Sequence, residues 1–175
     1  MITDSDVELL LTFAEVSAAF IGFSAIAGII GRQVADAGYQ HSNRLRSIVM
    51  GSILVLVAAF IPLLVARFDV ESIWRVSSTI LFPTNLLAAY LILKGDVSVQ
   101  VTRADRFYMY GAYVSEVPVE VFLILNVLGL FSIYAGAFYL TVVFLLLLQL
   151  ALAFGVLVHS LLLQRQGVDD STKSD

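Results

Sequence analysis

The feature that most constrains this chain is a nearly unbroken apolar segment from Pro118 to Leu163. As one helix, its roughly 46 residues would reach about 69 Å, at about 1.5 Å per residue. The hydrocarbon core of a bilayer is only about 30 Å thick, so the segment must fold back on itself. Tyr134-Ala135-Gly136 is its weakest point. The sequence therefore predicts two spans there, at about 118–133 and 138–163.

The composition excludes a soluble globular domain. Hydrophobic residues make up 59% of the 175 residues and charged residues only 14%, against roughly 25% charged residues in soluble domains. A soluble fold of this size cannot cover so much apolar surface with polar groups. A bilayer removes that requirement, because lipid replaces water as the solvent.

Several kinds of chemistry are not expected. Cysteine is absent, histidine occurs twice, and no basic tract is present. Disulfides, thiol nucleophiles, a histidine-based metal site within one chain and nucleic-acid binding are therefore not expected. We also expect no cofactor.

Three further apolar segments reach the roughly 20 residues that a span needs; they cover about 7–31, 45–66 and 73–93. Ser5 and Glu8 have the spacing of a capping box at the start of the first. The residues before it contain no Lys or Arg, unlike a signal peptide, so we expect it to be a span of the mature protein. Pro62 is expected to kink the second span, and Pro83 to interrupt the third.

The stretch 96–117 is the least apolar part of the chain interior. Aromatic residues follow Arg103 and Arg106 there, a combination that favours the membrane–water interface. We therefore predict a segment lying on the membrane. The predicted fold class is all-α: a polytopic transmembrane helical bundle of about five spans in one domain, residues 1–164, followed by a polar cytoplasmic tail, residues 165–175.

The basic residues predict an orientation. Five spans place eight of them on one side of the membrane and two on the other, and the richer side is cytoplasmic by the positive-inside rule. We expect a multi-pass protein of the bacterial inner (plasma) membrane, with its N-terminus outside and its C-terminus cytoplasmic. The eight are Arg32, Arg44, Arg46, Lys94, Arg103, Arg106, Arg165 and Lys173; the two are Arg67 and Arg75.

Glu15 lies about eight residues inside the first span, where an ionised carboxylate is costly. At about 100° per residue it shares a helix face with small side chains, while Phe13 and Phe20 lie nearly opposite. Small residues let helices approach closely. The face consists of Glu8, Thr12, Glu15, Ala19, Gly22, Ile26 and Ile29, flanked by Ala18 and Ala25; the first five form the predicted ion pathway.

This face has two main interpretations. In the first, it packs inside a single bundle, and Glu15 is protonated or hydrogen-bonded to a neighbouring helix. In the second, copies of the helix surround an axis in a homo-oligomer, and Glu8 and Glu15 form acidic rings of the kind that select cations. A proton-transfer or substrate-binding role for Glu15 is a third alternative.

A polar layer is predicted near the membrane midplane. The assigned spans put Thr84, Asn85, Asn126 and Gln149 at similar depth. Amides in hydrocarbon seek one another because lipid offers no hydrogen-bond partner. The layer either ties helices together or lines a polar cavity for a small solute or ion. Backbone carbonyls freed at Pro83 would favour the cavity.

Two other polar residues are interpreted as structural. Glu120 follows Pro118 closely, in a first helical turn where the helix dipole favours an acid. His159 lies near the cytoplasmic end of the fifth span and is read as an interface residue. No H-E-x-x-H, G-x-S-x-G or P-loop motif occurs, so an enzyme is not expected. A lipid-modifying enzyme that uses Glu15 or Glu120 is the weakest alternative.

Together these patterns predict a membrane transport or channel protein, with cations as the favoured solute. The predicted ion pathway is the acidic small-residue face of the first helix in a homo-oligomer. The expected partners are the lipid bilayer, further copies of the chain bound through the first helix, and cations. The alternative function is a non-conducting interaction protein: a sensor, an anchor or a subunit of a larger complex.

Overall fold

The computed structural model describes residues 2–33, 39–68, 70, 72–96 and 103–171. These residues are almost all helical and form no strand, which confirms the all-α class. Short 3-10 turns lie at Ala66–Phe68 and Ser132–Tyr134. The five long helices are α1 (Asp4–Gln33), α2 (Tyr39–Val65), α3 (Ile73–Asp96), α4 (Arg103–Val127) and α5 (Ala135–Ser171).

Within the described residues, three helices, α1, α2 and α5, are long and apolar enough to cross a membrane, which indicates a membrane protein. Helices α3 and α4 carry polar side chains in their middles. Asn85 lies in α3, and Glu116 and Glu120 lie in α4. The contacts of these groups, described below, explain how a bundle accommodates them.

Helices α2 and α5 form the centre of the bundle. Helix α2 packs against α1, α3 and α5, and α5 packs against all four other helices. The contact of α2 with α3 confirms that the second and third predicted spans are neighbours. At the core, the buried Tyr139 hydroxyl donates to the Ala58 carbonyl at 2.8 Å, and its ring lies 5.7 Å from that of Trp74.

The first helix begins with a capping box, but not the predicted one. The Thr3 N–H donates to Asp6 Oδ2 at 2.9 Å, and the Asp6 N–H donates back to Thr3 Oγ1 at 3.2 Å. This reciprocal pair satisfies two amides that the first turn leaves free. The helix therefore starts at Asp4, and the predicted pairing of Ser5 with Glu8 is wrong.

Helix α4 begins at Arg103 and continues through Pro118 to Val127. The predicted boundary at Pro118 is therefore wrong, and residues 103–117 belong to the same helix as the apolar residues after them. A proline removes one backbone hydrogen bond, which membrane helices tolerate when neighbouring helices support the backbone. Helices α2 and α3 likewise continue through Pro62 and Pro83, so Pro83 does not interrupt α3.

The turn between α4 and α5 comes earlier than predicted and is formed by Gly129. Its φ of 72° is left-handed, which favours glycine. The Gly129 N–H donates to the Asn126 carbonyl at 3.0 Å, and the Leu130 N–H donates to the Leu125 carbonyl at 3.0 Å. These two bonds are the Schellman pattern that ends a helix. The predicted turn at residues 134–136 and span limits 118–133 are therefore wrong.

The other boundaries also shift outward. Helix α2 starts at Tyr39, inside the predicted polar loop, and α5 extends to Ser171, inside the predicted tail. Residues 1, 34–38, 69, 71, 97–102 and 172–175 lie outside the described part of the chain.

Gly136 provides a test of the packing between α3 and α5. A Cβ atom at this position would lie 3.1 Å from Trp74 Nε1, so Gly136→Ala forces the buried indole to move. We expect this change to lower the free energy of unfolding by about 1–3 kcal/mol, as overpacking does. Gly155→Ala is the matched control, because no atom lies within 4 Å of its added Cβ. Thermal unfolding in detergent measures both; equal midpoints would contradict this packing.

Candidate functional site

The strongest candidate site is built around Glu116, near the middle of α4. Its Oε1 accepts a hydrogen bond from Asn85 Nδ2 of α3 at 2.6 Å. Its Oε2 accepts one from Gln149 Nε2 of α5 at 3.0 Å. Both oxygens of one carboxyl group are therefore held by neutral amides from two other helices. Gln149 Nε2 also lies 3.0 Å from Ser115 Oγ.

Asn85 connects this carboxyl group to a second one. Its Nδ2 also donates to Glu120 Oε1 at 2.9 Å, so its two N–H bonds serve two glutamates. Asn85 is only 2% exposed. Glu116 and Glu120 lie four residues apart and thus on one face of α4, where like charges repel each other.

A partly open cavity of about 70 Å³ adjoins the half-buried Glu116, among α2, α3, α4 and α5. Asn85 and Gln149 also line it, so its polar wall is the amide–carboxyl cluster just described. Most of the remaining wall is made of small and aliphatic side chains, which leave space open to a small solute. These lining residues are Ser47, Gly51, Leu54, Val55, Ala88, Ala89, Leu146, Leu150 and Ala153.

No basic side chain balances this pair of carboxyl groups, as far as the structure describes the chain. Arg46, Arg67 and Arg75 are exposed, and the Arg75 Nε donates to the Val127 carbonyl at 2.9 Å instead. A carboxyl group inside a bundle without a counter-charge either takes up a proton or attracts a cation. The ligands it offers are oxygens, which suit hard cations.

A transition-metal centre has no support among the described side chains. These contain no group of three or more His, Cys, Asp or Glu residues that could hold a metal ion.

The predicted polar layer is partly correct. Asn85 and Gln149 do meet, through Glu116. Thr84 does not join them through its hydroxyl, which donates to the Ile80 carbonyl of its own helix at 2.8 Å. Because α4 begins at Arg103, its middle lies at Glu116 and not at Asn126.

Asn126 instead belongs to a separate contact near the α4–α5 turn. Its Nδ2 donates to Ser78 Oγ at 3.1 Å and to the Ala135 carbonyl at 3.0 Å. This residue ties the end of α4 to α3 and to the start of α5. Its predicted place in the layer is wrong.

The predicted ion pathway on α1 lies on the outer surface of the chain. All five of its residues, Glu8, Thr12, Glu15, Ala19 and Gly22, are exposed. The opposite face packs inward: Phe13 is buried, and the buried Ser17 hydroxyl donates to the Ser52 carbonyl of α2. The interpretation that this acidic face packs inside a single bundle is therefore wrong. Its role between copies of the chain stays a prediction.

The sequence reasoning missed Glu116, because it placed this residue in the interfacial segment 96–117. It also misread Glu120, which lies well inside α4 and not in a first turn. The signal that reveals both is spacing. Glu116, Glu120 and Asn126 fall on the α4 face that also carries the fully buried Val119 and Leu123. His159 is exposed near the end of its apolar segment, and its position at the membrane–water interface stays a prediction.

Comparison of the chain with protein-family models, curated proteins and solved structures finds no match. The functional interpretation therefore depends on the geometry of this site.

Asn85 provides a test of the cluster. Asn85→Leu removes the donor shared by two carboxyl groups, and we expect the free energy of unfolding to fall by about 1–3 kcal/mol. Thr84→Val is the neighbouring control; it removes a hydroxyl bonded only within its own helix, and the expected change is within about 0.5 kcal/mol. Thermal unfolding in detergent at fixed pH measures both. Equal losses would contradict a shared role of Asn85.

Proposed function

We propose that this protein transports small cations across the bacterial inner (plasma) membrane. In this proposal all five helices span the bilayer, with the N-terminus outside and the C-terminus cytoplasmic. The polar groups of α3 and α4 hydrogen-bond to one another and to Gln149 of α5. Polar groups satisfied in this way need no water, so the polar residues in α3 and α4 are compatible with spanning.

The observation that carries the proposal is the position of Glu116. Its carboxyl group lies halfway along α4, beside a cavity, and no basic side chain among the described residues pairs with it. Ionisable groups inside membrane bundles mark ion and substrate pathways, because they are too costly to keep without a role. A cation in the cavity supplies the missing positive charge.

The size of the cavity favours a small inorganic ion. Its volume of about 70 Å³ is enough for an ion and a little water, since one water needs at least about 10–15 Å³. Pockets for drug-sized organic ligands measure about 300–1,000 Å³. Glu116 is the one carboxyl group among the residues that line the cavity. Its single negative charge beside neutral amides balances a monovalent ion, whereas Ca²⁺ and Mg²⁺ sites are built with more carboxylate charge.

Cation uptake into liposomes tests the proposal. We expect purified protein to take up ²²Na⁺ or ⁸⁶Rb⁺ above the level of empty liposomes, and Glu116→Gln to reduce the rate at least about tenfold, which corresponds to about 1.4 kcal/mol. Glutamine keeps the size of the side chain and removes only its charge. Thr84→Val serves as the neutral control.

The same assay separates this site from the predicted pathway on α1. Loss of uptake in Glu15→Gln with normal uptake in Glu116→Gln would move the pathway to the α1 face. Wild-type protein that moves neither ion would favour the non-conducting interaction protein, whether sensor, anchor or complex subunit.

A second candidate is a homo-oligomeric pathway formed by α1. The observation that favours it is the exposure of Glu15 and Gly22 on one outer face of a helix apolar enough to span a membrane. A carboxyl group directed at acyl chains is costly. A second copy packed on the small residues of this face would shield it and bring acidic side chains around one axis.

Disulfide trapping tests this contact, because the chain has no cysteine of its own. We expect Ala19→Cys to form a cross-linked dimer in native membranes under mild oxidation, since close helix packing brings the two sulfurs together. Val57→Cys is the matched control, an exposed apolar position on α2. Equal cross-linking of both variants, or of neither, would contradict self-association through α1.

A further inference from the structure

We propose that the site exchanges a proton for a monovalent cation, with the proton carried by Glu120 and the cation bound at Glu116. This inference rests on the proposed cation site and adds the coupling ion. It assigns different roles to the two carboxyl groups that Asn85 connects.

The hydrogen bonds place the proton on Glu120. Both oxygens of Glu116 accept N–H donors, and an amide N–H cannot accept a proton in return. Glu120 differs, because only its Oε1 accepts a donor. Its Oε2 is buried and has no hydrogen-bond partner among the described residues. An acid O–H fits at Oε2 without displacing any existing hydrogen bond.

The charges of the two groups depend on each other through their proximity. With Glu120 protonated, the pair carries one negative charge, on Glu116. When the O–H bond of Glu120 breaks, its electron pair stays on Oε2 and the proton leaves to water. The pair then carries two negative charges on one helix face, and a low-dielectric interior strengthens their repulsion.

A monovalent cation in the cavity offsets this second charge. One cation enters as one proton leaves, so the total charge of the site with its bound ions is unchanged. Asn85 makes the exchange local, because each of its two N–H bonds holds one of the two carboxyl groups. Asn85 is thus a positioning residue: it holds the carboxyl group that binds the cation next to the carboxyl group that carries the proton.

Proton release on cation binding tests the inference without transport. Purified protein in weakly buffered detergent solution receives NaCl, and in a parallel experiment KCl, with choline chloride as the control for ionic strength. We expect one of the two ions to release about one proton per chain, measured with a pH-sensitive dye, while choline releases none. We expect Glu120→Gln to bind that ion with no proton release, and Glu116→Gln to lose both the binding and the release.

Liposomes loaded with the same dye give the transport result. We expect inward ²²Na⁺ or ⁸⁶Rb⁺ movement to raise the internal pH in the wild type. The only gradient imposed is that of sodium or potassium. Cation uptake without a change of internal pH would then overturn the proton coupling and leave the proposed function standing. Proton release that persists in Glu120→Gln would overturn the assignment of the proton to Glu120. A wild type that neither binds nor moves either cation would overturn the proposed function itself.

Discussion

The hydrogen bonds of Glu116 are the interaction on which the arrangement of α3, α4 and α5 depends. A carboxyl group inside a membrane bundle has no lipid partner and, among the described residues, no basic one. Neutral amides from two other helices hold it, Asn85 from α3 and Gln149 from α5. Such bonds are individually modest in membranes, averaging about 0.6 kcal/mol. They matter because an unpaired carboxyl oxygen inside the bundle is costly. The three helices must therefore face one another in the arrangement that brings the two amides to Glu116.

The rest of the bundle follows from this requirement. Helices α3 and α4 can carry polar residues in their middles because these residues hydrogen-bond to one another and to Gln149 of α5. Helices α2 and α5 lie between the other helices and contribute the small residues Gly51 and Ala153 to the cavity beside Glu116. Helix α1 packs on α2 and α5 through one face, and its acidic face remains outside. The bundle thus has an internal polar site and an external polar surface.

The sequence predicted the fold class and the existence of five helices, because apolar segments of spanning length leave few alternatives. It also predicted that Asn85 and Gln149 would meet, since buried amides require partners. The sequence-based prediction was wrong where a glycine or a proline can either end a helix or pack within one. Gly136 resembled a turn but packs on Trp74, whereas Gly129 forms the turn through its left-handed backbone. Pro118 resembled a helix start but lies within α4, so Glu116 was assigned to the membrane surface.

The face of α1 shows a different limit of sequence reasoning. Helical spacing correctly grouped Glu15 with small residues, but periodicity alone cannot say whether a polar face points inward or outward. In a soluble helix the polar face points to water. In a membrane helix the polarity of a face does not show whether it points inward or outward. Only the packing of Phe13 and Ser17 against the bundle determines the direction.

Infrared difference spectroscopy, with the glutamate carboxyl groups labelled with ¹³C, tests most directly whether Glu116 binds a cation inside the bundle. Adding NaCl or KCl to the protein in lipid, against choline chloride, should shift a carboxylate stretching band. The band should be absent from the difference spectrum of Glu116→Gln and present in that of Glu15→Gln. A spectrum without a carboxylate band, or the same band in the Glu116→Gln variant, would contradict the cation site.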